Sequence, residues 1–193
     1  MTVATLTRLN DRIADRANSV ATWALPTLAR AIFAATLAAY YWGSALTKLG
    51  PGPLTPSVGA YAQIFPRAME AAGYNPGKLS ALHTAVVLAG TWAEFLLPAL
   101  IVLGLATRPA ALGMIGFIVV QSWVDVTGHG LGLADIGAWF DRSPSALILD
   151  QRAFWVALLA IPALMGGGPL SVDRLLRTAL AARLSLSPTA RQA

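Results

Sequence analysis

Residues 79–105 read LSALHTAVVLAGTWAEFLLPALIVLGL. This run is longer than the ~20 mostly apolar residues that a helix needs to cross a bilayer. Its one acidic residue is Glu94, and Pro98 follows four positions later. At a rise of about 1.5 Å per residue, Glu94 lies roughly 15 Å from the far end of the run, near the middle of a membrane. A charge there costs about 2.5–3.5 kcal/mol on insertion scales, so it must be paired, protonated or hydrated. Pro98 lacks the N–H that would bond the carbonyl of residue 94. A carboxylate and a freed carbonyl therefore share one place, and a donor from another helix is expected to satisfy both.

Working outward, three more apolar runs appear: residues 25–49, 109–126 and 154–170. Pro51, Gly52, Pro53 and Pro56 close the first, Thr107-Arg108-Pro109 reads as a tight turn, and Gly128-His129-Gly130 opens a longer loop. The expected fold is an all-α bundle of four transmembrane helices over residues 23–170, with spans at about 25–49, 79–105, 109–126 and 154–170. The flanks, 1–22 and 171–193, read as amphipathic. In the first, Val3, Leu6, Leu9, Ile13, Ala17 and Val20 recur at helical spacing opposite Arg8, Arg12 and Arg16. In the second, Ser171 can cap a helix striped by Val172, Leu175, Leu176, Ala179 and Leu180. Such segments are expected to lie along the membrane surface.

Composition agrees. The chain is 56% hydrophobic and 12% charged, against about 25% charged in a soluble domain, and its mean hydropathy is +0.61. With no cysteine it has no disulfide, no thiol nucleophile and no cysteine-ligated metal. The first twenty residues mix charges without an apolar core, so no cleavable signal peptide is expected. Of the 14 basic residues, nine fall with the termini and the 107–109 turn, namely Arg8, Arg12, Arg16, Arg30, Arg108, Arg174, Arg177, Arg183 and Arg191. Positive charge accumulates on the cytoplasmic side, so both termini are expected in the cytoplasm and the protein in the inner membrane. The net charge of +5 is therefore read as membrane topology, and nucleic acid is not expected as a partner.

The intramembrane polar residues form the candidate site. Arg30 is the expected partner of Glu94, because the height difference between them matches an arginine's reach. Arg30, Ala34, Leu37, Tyr41, Ser44 and Lys48 make one stripe on the first span. His83 and Glu94, eleven residues apart, share a face of the second, and Gln121 and Asp125 are an i,i+4 pair on the third. The expected seam runs from the buried pair Arg30 and Glu94 to a pocket or proton site at Tyr41, Lys48, His83, Gln121, Asp125 and His129. Arg108 marks the cytoplasmic turn. Two histidines without ligand spacing argue against a metal site. No phosphate-cradling loop, nucleophile elbow or zinc motif is found.

These residues resemble the DoxX-like family of small four-helix membrane proteins. The resemblance rests on Arg30 in LAR, on Gly43 and Lys48 in WGSALTKL, and on Glu94 in AEFLLPALIVLGLATR. It also rests on the Gly104 to Arg108 turn and on GGGPLSVDRLL at residues 166–176, so that it covers about residues 25–176. The loop GHGLGLADIGAWFDRSPSALILD is longer than the family pattern. The resemblance implies four spans and an accessory or anchoring subunit of a redox or stress-response pathway, not catalytic on its own. The family takes its name from a subunit associated with a thiosulfate:quinone oxidoreductase, and one alternative is therefore a quinone-interacting oxidoreductase subunit. Glu94, Arg30 and Tyr41 are then the residues expected to bind and protonate the quinone, with electrons from a partner and no intrinsic cofactor. A small proton-coupled transporter with Glu94 as relay is a third reading. The lipid bilayer is the expected surrounding, with a protein partner or a second copy beside it.

Overall fold

The computed structural model describes residues 3–185. Arg191 and the tail of the expected 171–193 segment lie outside the described residues. Within them the chain is helical, and the one strand-like pairing is an isolated bridge between Leu49 and Pro56.

The first helix, α1 (Val3–Phe33), continues through a wide π turn at Ala34–Ala38 into α2 (Ala39–Lys48). Two short helices, α3 (Val58–Ile64) and α4 (Pro66–Ala71), lead to α5 (Ala81–Leu103) and α6 (Thr107–Thr127). A one-turn α7 (Leu133–Ile136) and a π segment, Leu147–Arg152, precede α8 (Ala153–Met165), and α9 (Val172–Ser185) follows. Four stretches are long and apolar enough to cross a membrane: Ala4–Lys48, Ala81–Leu103, Thr107–Thr127 and Leu147–Met165. They close a ring in which α5 packs on α2 and α6, and α8 packs on α6 and α1.

Each span buries one stripe. On α5 the buried residues are Val87, Thr91, Glu94, Pro98 and Ile101, spaced alternately by four and three. Glu94 is therefore turned inward by the register of its helix. The central core joins Phe33, Leu37, Tyr41, Ile101, Met114, Ile118 and Leu159. Between apolar helices in lipid no water is excluded, so close van der Waals fit holds these side chains together.

The boundaries differ from the expected ones in instructive ways. The segment before residue 25 is continuous with the first span; its residues Leu6, Leu9, Ile13, Val20 and Trp23 are exposed, and burial begins at Pro26. The second turn lies at Gly104–Ala106, earlier than Thr107-Arg108-Pro109. Gly104 takes φ +68°, its N–H donates to the Ile101 carbonyl, and the Leu105 N–H donates to Leu100. This paired closure needs the left-handed conformation that glycine adopts without strain. Pro109 then falls in the first turn of α6, where its missing N–H would have had no partner. The fourth span begins at Leu147 and ends at Met165, shifted from 154–170. Arg152 obscured its start in the sequence, and in the fold Asp125 neutralises that charge.

The segment between the first two spans is folded as well. Ser57 caps α3 by accepting the Ala60 N–H at 3.1 Å. Ala60, Tyr61 and Met69 bury against Val87 of α5. The short helices thus cover the Lys48 end of the bundle.

Candidate ligand-binding cleft

Glu94 and Lys48 are both buried, at 3% and 5% exposure. The Lys48 ammonium donates to both carboxylate oxygens, at 2.9 Å to Oε1 and 2.8 Å to Oε2. It also donates to the Ser44 hydroxyl at 2.6 Å, and that hydroxyl lies 3.3 Å from Glu94 Oε1, to which it donates. A lysine, a serine and a glutamate thus complete one another's hydrogen bonds, which is the condition under which a buried ion pair is tolerated.

The expected Arg30–Glu94 pair is not formed. Arg30 is buried, but its guanidinium donates to four carbonyls: Ile101 at 2.7 Å, Val102 at 2.6 Å, Gly167 at 2.6 Å and Leu170 at 2.8 Å. Ile101 is seven residues beyond Glu94, about 10 Å along the helix. The last carbonyls of a helix lack intrahelical donors and carry the negative end of its dipole, so they attract the guanidinium more closely than the distant carboxylate does. Among the described residues no side chain donates to the carbonyl that Pro98 frees; the Trp42 indole instead donates to the next carbonyl, that of Phe95, at 3.1 Å.

Beside the Lys48–Glu94 pair opens a cleft of about 500 Å³ between α5 and α6. The hairpin is closed near its turn, where Leu97 packs over Gly113. Farther up, the wall is made of small residues, Ala89, Gly90 and Ala93 on α5 and Gly116 on α6. A Cβ added at Gly116 would meet nothing within 4 Å. Tyr40, Ser44 and Lys48 of α2 line the cleft as well, with Gln63 and Ile64 of α3 and His129 from the loop after α6. Val86 and Val120 line it and are exposed on the bundle surface, so the cleft has a lateral face on the apolar exterior.

Of the expected pocket residues, Lys48, Gln121, Asp125 and His129 line this cleft together with Glu94. Gln121 donates its amide to the Tyr40 hydroxyl at 3.1 Å, while its buried carbonyl oxygen has no partner among the described residues. Asp125 accepts from Arg152, which also donates to Ser122 at 3.0 Å. His129 Nε2 donates to the Gln63 carbonyl at 2.9 Å and ties the loop to α3.

Two expected members stand apart, and Arg108 was expected at the turn between the second and third spans. Tyr41 is a core residue, fully buried with its ring against Tyr40, Phe117 and Trp155. His83 sits against the Phe65 ring and bonds the Ser80 hydroxyl through Nδ1 at 2.8 Å. Arg108 lies at the opposite end of the bundle. Sequence reasoning missed Tyr40, although Tyr40, Ser44 and Lys48 follow one another at intervals of four. The stripe from Arg30 stays buried through Leu37, Tyr41 and Lys48, and it is the neighbouring Tyr40, half exposed, that reaches the cleft while Tyr41 fills the core. Among the described residues no three His, Asp or Glu side chains converge as a metal site would require.

Asp173 was also missed. Its carboxylate accepts the N–H groups of Ala106 and Thr107 at 2.8 and 2.9 Å and the Thr107 hydroxyl at 2.7 Å. It caps α6 from a distant part of the chain. Desolvation pushes this carboxyl up, but the bonds from Thr107 and Ala106, with Arg177 nearby, outweigh it and hold the group below its ordinary value. The sequence signal was negative: the residue before α6, Ala106, has no capping side chain.

No family model, no curated protein and no solved structure matches this chain. Its fold and its cleft are the grounds on which its function is read.

Proposed function

We propose that this chain is a small multi-pass membrane subunit that binds a lipophilic molecule with a hydrogen-bonding head, of the quinone class, in the cleft between α5 and α6. It would serve a redox or stress-response assembly without catalysing a reaction alone, in keeping with its resemblance to the DoxX-like family. The carrying observation is a saturated Lys48–Glu94–Ser44 cluster set in the wall of a largely apolar cavity with a lateral apolar face. Small-molecule sites are mostly apolar, with a few placed polar groups that fix orientation. Here the placed group is a donor: the Tyr40 hydroxyl accepts from the Gln121 amide, and its own proton has no acceptor among the described residues. Such a hydroxyl suits a ring carbonyl.

The test is to purify the protein in mild detergent and extract what travels with it. Quinone retained by the natural chain and lost from Gly116→Leu supports the reading. Equal retention by both, or none by either, refutes it.

The accessory-subunit reading without a ligand is favoured by a different observation. Leu6, Leu9, Ile13 and Val20 of α1 and Leu175, Leu176 and Leu180 of α9 are exposed. In the reading proposed here, the exposed start of α1 projects from the first span on the cytoplasmic side of the inner membrane, and with α9 it holds a partner protein or a second copy. A stoichiometric protein that copurifies without any small molecule would favour it.

A further inference from the structure

A second cavity, of about 260 Å³, lies where α6 starts and α8 ends, at the opposite end of the bundle from the Lys48 cluster. Its wall is the loop Gly166, Gly167 and Gly168, and three arginines line it: Arg108, Arg174 and Arg177. Arg108 comes from the first turn of α6. Arg174 and Arg177, three residues apart, share a face of α9. No one of the three makes an ion pair among the described residues. The one carboxylate in the cavity is Asp173, and both its oxygens are committed to capping α6. Three cations therefore face one space with a single anion that is already engaged, an arrangement that favours a further negative charge.

The backbone points the same way. Gly167 is buried, yet neither its N–H nor that of Gly168 donates to any acceptor among the described residues. Buried N–H groups are rarely left without a partner. The loop stays tight because a Cβ at Gly167 would come within 2.6 Å of Ser171, and Gly168 has φ +73°. Arginine forks and glycine-loop amides are the recurring donors to phosphate oxygens. The level suits it too: α6 starts and α8 ends here, and spans end where lipid headgroups begin.

We propose that this cavity is a phosphate-binding site, taking either a phosphodiester lipid headgroup or free phosphate. The site is separate from the cleft and does not depend on the quinone reading.

The test uses the full chain in neutral detergent and in phosphatidylcholine nanodiscs with or without phosphatidylglycerol. Arg174→Gln and Arg177→Gln remove exposed side chains that make no hydrogen bond among the described residues, so unfolding temperatures without ligand at neutral pH should stay within about 2 °C of the natural chain. Arg12→Gln, on the exposed part of α1, is the control for general positive charge. Affinity for inorganic phosphate by calorimetry, and retained phosphatidylglycerol by native mass spectrometry, are the two readouts. We expect each cavity variant to bind about tenfold more weakly, the effect of one lost charge-assisted hydrogen bond, with Arg12→Gln unchanged. A loss confined to the lipid readout identifies a headgroup site, and a loss in the phosphate readout identifies a free-anion site. Binding in neither readout, or an equal loss in Arg12→Gln, overturns the proposal.

Discussion

Removing Glu94 alone should cost far more than removing Glu94 and Lys48 together. In Glu94→Ala the Lys48 ammonium keeps its burial and loses two of its three acceptors, leaving the Ser44 hydroxyl. Stranding one partner of a buried pair costs about 3–5 kcal/mol. Replacing both by apolar residues of similar volume, Lys48→Met with Glu94→Leu, should return most of that loss, because no uncompensated charge remains. Glu94→Gln should fall between, since an amide oxygen still accepts from lysine. Arg30 supplies the internal control. It bonds carbonyls near residues 101 and 167 instead of Glu94, so Arg30→Ala and Glu94→Ala should add within about 0.5 kcal/mol. Lys48→Met and Glu94→Leu should instead show a coupling of at least about 2 kcal/mol. Equilibrium unfolding in mixed micelles measures all of these. A Glu94→Ala cost below about 1 kcal/mol, or additive Lys48 and Glu94 losses, would refute the reasoning; coupling between residues 30 and 94 would restore the pairing the sequence suggested.

Other outcomes follow from the same geometry. Gly104→Ala should destabilise by at least about 2 kcal/mol in the same unfolding assay, because φ is +68° and the new Cβ would come within 2.7 Å of the Arg30 guanidinium. Asp173→Ala should cost about 1–2 kcal/mol, the value of a helix N-cap. The Asp173 carboxyl is held below its ordinary value, so its contribution is present above the unfolded pKa of about 3.9 and is lost as pH falls through the lower folded value. In Asp173→Asn that acid-side loss should be smaller, read as a flatter stability profile below pH 4. Gly116→Leu should fill the cleft and leave the unfolding temperature within about 2 °C, since the position faces open space.

The four spans were legible because hydropathy over ~20 residues reports directly on the solvent a helix faces. Glu94 was legible as buried because its stripe, Val87 to Ile101, is regular. Its partner was not. Choosing Arg30 over Lys48 required the relative heights of two helices, and the sequence does not show that the C-terminal carbonyls of α5 would occupy the arginine first. Lys48 was placed in the expected pocket and not paired with Glu94; the helices α3 and α4 beside that end of the bundle were hidden in a segment rich in proline and glycine. Tyr40 was passed over for Tyr41 because the apolar stripe marks the core-facing side, and the half-exposed tyrosine beside it, which lines the cleft, carries no signal in hydropathy. Asp173 acts on a helix 66 residues away, a distance at which local capping patterns are silent.

The acceptors of Arg30 carry a consequence for biosynthesis. They come 71, 72, 137 and 140 residues after the arginine. While a ribosome extends the chain from its amino end, the first span enters the insertion machinery long before any of those carbonyls has been made. Its guanidinium therefore needs other partners, water or lipid headgroups, until residue 102 has been made, and its full set of acceptors exists only after residue 170 has emerged. The nascent protein carries a built-in delay between entering the membrane and closing its bundle.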